Sequence, residues 1–304
     1  MPKTPPNSMH QELTCGQAEG LVRGITALGL AAGVVNVVVG GGIFVLPALL
    51  AAQIGPVGPI VHLISDGAVF LVATSYVTIG RTVSRSGGSY AYVADVLGPF
   101  TGYLAGVLTW LVGAFASAAL LVALATMVAL LHPSLQTTAA RPALIIVLYL
   151  LPLTINLVTI HSGTRVVMAL TIIKLGTLLS FLLFVFPLVE GDHLTWTAPI
   201  SSAGLARAAI ISFFAFGGME MALGASGEIQ SPGRTLPPAV LGGIGLVVLL
   251  YAAVQVVTQG VLGPALPDSP APLAEAAARV HPGLHALIVV GTAISIYGAL
   301  AGTL

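Results

Sequence analysis

Gly33-Val-Val-Asn-Val-Val-Val-Gly-Gly-Gly-Ile-Phe-Val-Leu-Pro-Ala-Leu-Leu-Ala-Ala52 is the stretch on which the reading of this chain turns. It is uncharged and long enough to cross a bilayer. Yet Gly40, Gly41 and Gly42 stand together at its middle, and Pro47 follows closely. Each glycine costs a helix up to about 1 kcal/mol relative to alanine, so three together predict an interruption near the membrane midplane. In hydrocarbon every backbone N–H and C=O needs a partner, so a broken helix persists only where protein or a water-filled cavity surrounds it. The second half-helix would begin with free N–H groups, which attract anions. Two readings stay open for this stretch alone: half of a site for a carboxylate-bearing substrate, or a glycine packing face for a neighbouring helix.

The rest of the chain has the same solvent in mind. Its 304 residues are 57% hydrophobic and only 7% charged, against about 25% charged in soluble domains. The apolar runs approach 20 residues, which predicts an all-α integral membrane protein rather than a barrel. The net charge is zero, which gives no reason to expect a nucleic-acid partner. No cofactor, metal or enzymatic activity is expected; membrane lipid is. Cys15 is the single cysteine, so no disulfide framework can form within the chain. Met1 to Leu21 is polar and lacks an apolar h-region, so no cleaved signal peptide is expected. Residues 1–24 are read as a polar cytoplasmic segment and 25–304 as a transmembrane domain.

Apolar length and flanking breakers predict eight spans: Ile25–Ala52, Ile60–Gly80, Phe100–Leu131, Ala143–Val158, Val166–Val189, Leu205–Ile229, Ala239–Leu262 and Leu284–Leu304. Leu273–Val280 reads as a short surface helix. With the N-terminus inside, Lys3, Arg23, Arg81, Arg85, Arg165 and Arg234 lie on the inner side, and Arg141, Arg207 and Arg279 on the outer. The excess of basic residues inside predicts that orientation in a cell membrane.

Span 6 repeats the device of span 1. Ile211-Ser-Phe-Phe-Ala-Phe-Gly-Gly-Met-Glu-Met-Ala-Leu-Gly-Ala-Ser-Gly227 is apolar on entry, is interrupted at Gly217 and Gly218, and then carries Glu220. Paired interrupted helices in corresponding halves point to a transporter built from inverted repeats, with its substrate at the midplane. That favours the site reading of Gly40, Gly41 and Gly42.

Ionisable groups inside spans are functional candidates. Lys174 in span 5 could load and release a proton, or serve as a structural cation on carbonyls freed by the span 1 break. Glu220 could bind protons, receive a substrate ammonium, close a gate, or brace the broken backbone. Glu228 reads as an interfacial anchor. His62 and Asp66 share one helical face, where a structural pair is the preferred reading. Phe213, Phe214 and Phe216 could cover a substrate or simply pack. Trp110 and Tyr297 are weaker candidates for lining a cavity.

Four collinear motifs carry a resemblance. Gly40-Gly-Gly-Ile-Phe-Val-Leu-Pro47 resembles the Gly-x-Gly-Ile-Phe motif of the amino acid–polyamine–organocation (APC) transporters. Gly87-Gly-Ser-Tyr-Ala-Tyr92 with Leu97-Gly98-Pro99 is similar to that family's loop between spans 2 and 3. Phe214-Ala-Phe-Gly-Gly-Met-Glu220 and Glu228-Ile-Gln-Ser-Pro-Gly-Arg-Thr-Leu-Pro237 resemble its broken span 6 and the segment that follows. The resemblance implies a leucine-transporter-like inverted-repeat bundle with discontinuous spans 1 and 6, with a first repeat over 25–189 and a partial second repeat over 205–304. It implies an amino acid whose carboxylate meets N–H groups near Gly41, Gly42 and Ile43. The ammonium would meet carbonyls near Ala215 and Phe216, with Phe214 as a lid. Lys174 falls where some members replace a bound sodium ion, which implies coupling to protons, and Ser295 would face the same region.

There are departures. Thr78, in Tyr76-Val-Thr-Ile79, stands where the family often has glutamate, and His62 and Asp66 occupy a usually apolar helix. The chain ends at about its eighth span, whereas the family usually has twelve, so an incomplete second repeat is expected. A non-transporting fragment or membrane sensor is the alternative from another class. Gly224-Ala-Ser-Gly227 also has the form used by intramembrane serine proteases, but no mid-span histidine in spans 7 or 8 could serve as the base a nucleophile needs.

Overall fold

A computed structural model describes residues 24–82, 86–131, 135, 137, 140–158, 163–196, 199–224 and 226–303. The first apolar run is two helices, α1 (Ala27–Val38) and α2 (Gly42–Ile54), separated by Val39, Gly40 and Gly41. Thr26 caps α1 by accepting the Gly29 N–H at 3.2 Å, satisfying one of the donors a helix start leaves free. There follow α3 (Gly58–Gly80), α4 (Gly88–Leu97), α5 (Pro99–Leu131), α6 (Ala140–Val158) and α7 (Gly163–Val185). The second broken run is α8 (Ser202–Phe214) and the short α9 (Met219–Ala222). The chain continues through α10 (Pro232–Leu262), α11 (Pro272–Ala278) and α12 (Pro282–Thr303).

Among the described residues, six stretches are individually long and apolar enough to cross a membrane, where the sequence predicts eight spans. The difference has a geometric reason. Gly42–Gly80 is one 39-residue apolar stretch, which as a straight helix would measure about 58 Å, nearly twice a hydrocarbon core of about 30 Å. It divides at Gly55, whose φ of +57° is a left-handed conformation that favours glycine, into the second half of span 1 and all of span 2. Ala27–Val38 is a shorter apolar helix, the first half of span 1.

α1 lies at the centre, packed against α7, α9, α10 and α12, and α10 also packs along α3. Val34 and Asn36 of α1 are wholly buried. Ile25 and Ile229 pair as two extended residues: the Ile25 N–H donates to Glu228 O at 3.1 Å and the Gln230 N–H to Ile25 O at 3.0 Å. This ties the entry of α1 to the exit of span 6.

Two expectations change. The loop between spans 2 and 3 contains α4, a ten-residue helix. The helix expected at the surface near Leu273 is half sunk: Leu273, Ala274, Ala276 and Ala277 of α11 are buried, and α11 packs on α2, α10 and α12.

Candidate substrate and cation site at two broken helices

The end of α1 leaves carbonyls without helical partners, and three other helices supply donors. Lys174 of α7, wholly buried, donates from Nζ to the carbonyls of Asn36 at 2.6 Å and Val39 at 3.0 Å. Tyr251 of α10 donates its hydroxyl to Val38 O at 2.8 Å. Ser295 of α12 has Oγ 3.0 Å from Val39 O and 3.2 Å from Gly40 O, and its single proton serves one at a time. Asn36 in turn donates from Nδ2 to Gly298 O at 3.0 Å. A cation suits this place because a helix C-terminus carries partial negative charge.

The three glycines divide the two readings between them. A Cβ on Gly41 would lie 3.0 Å from Ile296 Cγ1 and 3.3 Å from Leu120 Cδ2, and one on Gly40 would lie 3.2 Å from Ala299 Cβ. Those two let α12 and α5 approach the backbone. Gly42 is exposed and a Cβ there meets nothing within 4 Å. Gly42 and the buried Ile43 open α2, where the first N–H groups have no acceptor within the helix.

In span 6, α8 stops at Phe214 and a turn over Ala215–Gly218 leads into α9. Gly218 has φ +105°, and a Cβ there would stand 2.6 Å from Val37 Cγ1, so both its conformation and its contact with α1 call for glycine. Glu220 Oε2 accepts the Gly218 N–H at 3.1 Å, which is the bracing geometry. Phe216 is buried with its ring centroid 5.1 Å from that of Tyr251. Phe214, expected as a lid, is 68% exposed, and Gly217 is exposed while Ala215 is half-buried. The structure therefore brings Gly218, Lys174 and Ser295 to the end of α1, sets Phe216 against Tyr251, and leaves Phe214 uncovered in this conformation.

A cavity of about 570 Å³ lies between α4, α5, α6 and α9, with Tyr90, Trp110, Ser117, Tyr149 and Met221 among its lining. Its size suits a small-molecule vestibule. Trp110 is in its lining, while Tyr297 and the break glycines are not.

His62 and Asp66 do pair, with Nδ1 3.3 Å from each carboxylate oxygen. Ser212 of α8 places Oγ 3.0 Å from the same Nδ1 and 3.3 Å from Asp66 Oδ1. Serine, histidine and aspartate together suggest a hydrolase, but a catalytic triad needs serine and aspartate on opposite ring nitrogens, and here both meet Nδ1. Ser226, in the protease-like string, lies in the turn Ser226–Glu228.

The sequence reading did not single out Asn36, Tyr251 or Ser212. Asn36 and Tyr251 carry the signal of a polar atom inside an otherwise apolar run. Ser212 is indistinguishable by sequence from the other small residues of span 6.

Apolar helices stacked around two interrupted spans define a multi-pass, all-α membrane fold. The chain belongs to the amino acid permease family, whose sequence model matches residues 25–304, within the APC superfamily. It is 29% identical to an uncharacterized transporter of Mycobacterium tuberculosis, over 86% of this chain and 59% of the relative. It is 26% identical to a serine/threonine exchanger of Bacillus subtilis, over 88% and 63%. It is 27% identical to the human large neutral amino acids transporter small subunit 2, over 89% and 54%. The chain thus spans about six tenths of the length of these relatives.

Proposed function

We propose that this chain carries the substrate site of a secondary active amino acid transporter of the cell membrane, coupled to protons and working by alternating access. The observation that supports this most is the asymmetry of the span 1 break. The carbonyl side is held by Lys174, Tyr251 and Ser295, while the N–H side opens at the uncovered Gly42. A substrate carboxylate would take the N–H groups of Gly41, Gly42 and Ile43. Its ammonium would take the carbonyls at Ala215 and Phe216, with Gly217 and Gly218 shaping the turn, Phe214 closing over it and Glu220 bracing or gating. Lys174, with Ser295 beside it, would carry the coupling proton. The first repeat would be 25–189 and a partial second repeat 205–304, with the N-terminus cytoplasmic.

Exchange is the second reading, and similarity to a serine/threonine exchanger favours it. The small residues Ala215, Gly217 and Gly218 suit neutral amino acids. Thermal unfolding of the purified chain, screened against the twenty amino acids and common polyamines, tests the site, because a ligand of the folded state raises its stability. A shift with neutral amino acids is expected, and no shift with any of them overturns the site. In proteoliposomes, uptake that collapses when the proton gradient is dissipated supports symport. Uptake that requires internal amino acid instead supports exchange.

A further inference from the structure

His62 and Asp66 lie one turn apart on α3 and are each 1% exposed. Neither the substrate site nor Lys174 uses them. Ser212 reaches them from α8. From α10, Tyr251 sets its ring edge-on to the imidazole, 6.0 Å between centroids, and gives its hydroxyl to Val38 O. Lys174 takes the next carbonyl, that of Val39, from α7. Two buried ionisable sites thus flank one helix break and reach adjacent carbonyls, His62 and Asp66 doing so through Tyr251.

We propose that His62 and Asp66 form a second proton-binding site, separate from Lys174, which holds one proton while sealed and releases it when water enters. With one proton between them the pair carries no net charge. Without it a lone carboxylate remains in a sealed interior, which is costly. In the loaded state the Nδ1–H donates to the Asp66 carboxylate and Ser212 donates to Oδ1. Release breaks the N–H bond, passes the proton to water, and leaves a neutral imidazole beside a carboxylate that now needs solvent.

The surroundings are otherwise poor in charge. From α10 the pair faces Tyr251, while Arg234 lies exposed at that helix's other end. From α8 it faces Ser212, with Arg207 exposed. α2 contains no ionisable side chain, and on α3 itself Tyr76 lies farther along. Hydration is therefore the main control on the proton. Use of this site in coupling rests on the transport reading above; the proton site itself does not.

The test is a proton titration of the full chain in nanodiscs, wild type against Asp66→Asn and against His62→Gln. The decisive variant is the double one, His62→Gln with Asp66→Asn, which keeps neither group and should lack the step in which wild type releases one proton. A double variant that folds and releases as many protons as wild type overturns the proposal. If the double variant does not fold, each single variant should move that step to another pH, and single variants with an unmoved curve overturn the proposal. Proton exchange on amino acid binding should fall in His62→Gln and in Lys174→Ala, and further in the variant combining those two; exchange in His62→Gln equal to wild type removes the coupling role. If no amino acid binds at all, the transport reading falls, and the titration still decides the proton site.

Discussion

The Lys174 ammonium stands 2.6 Å from the carbonyl oxygen of Asn36, 138 positions earlier in the chain. That bond ties α7 to the last turn of α1. It supplies the donor that the helix would have provided had it continued past Val38. A neutral donor could fill the same vacancy, but a cation also answers the partial negative charge of the helix end. Removal of Lys174 is therefore both a structural and an electrostatic event.

Lys174→Ala leaves the carbonyls of Asn36 and Val39 without its ammonium. Stability should fall by about 1–3 kcal/mol, the cost of buried polar groups left unpaired, measured by thermal unfolding in detergent. Amino acid binding should persist while uptake loses its dependence on pH. An unchanged pH profile in the variant would show that the coupling proton travels elsewhere.

Gly41 and Gly42 should respond differently to the same change. Gly41→Val meets Ile296 and Leu120 and should lose about 1–3 kcal/mol through overpacking. Gly42→Val enters open space and should stay within about 0.5 kcal/mol of wild type. It should nevertheless lose amino acid binding, because its side chain would occupy the ground in front of the α2 N–H groups. Normal affinity in a stable Gly42→Val chain would place the carboxylate somewhere else.

Glu220 accepts the Gly218 N–H, which an amide oxygen can also do. Glu220→Gln should keep wild-type stability, and Glu220→Ala should lose about 1.5–3 kcal/mol, the range for a hydrogen bond to a charged group. Uptake by Glu220→Gln then separates the roles. Retained transport with retained pH dependence identifies a brace; loss of transport in a stable chain identifies a charge that the cycle needs.

Tyr251→Phe removes the donor to Val38 O and keeps the ring against Phe216 and His62. Val38 O keeps the Gly40 N–H at 2.8 Å, so the expected cost is that of one buried hydrogen bond, about 0.5–1.5 kcal/mol. Stability equal to wild type would mean that water or a neighbouring side chain takes over the carbonyl.

Local features were legible without any structure. Low charge and runs near 20 apolar residues establish a helical membrane protein, because a helix of that length crosses the hydrocarbon core with its backbone polar groups paired within itself. The interruptions in spans 1 and 6 follow from glycine's backbone entropy, and the i, i+4 spacing of His62 and Asp66 placed them on one face. The motifs at Gly40–Pro47 and Phe214–Glu220 marked the family. Tertiary structure alone decided which donors meet the broken backbone: Tyr251 lies 213 positions from Val38 and Ser295 lies 256 from Val39, and no periodicity reports a partner so distant. It also decided that Gly40 and Gly41 admit neighbouring helices while Gly42 stays open, since a glycine's sequence says only that a side chain is missing. What fills the space of that missing side chain depends on α5 and α12, whose approach is set by packing across the whole bundle.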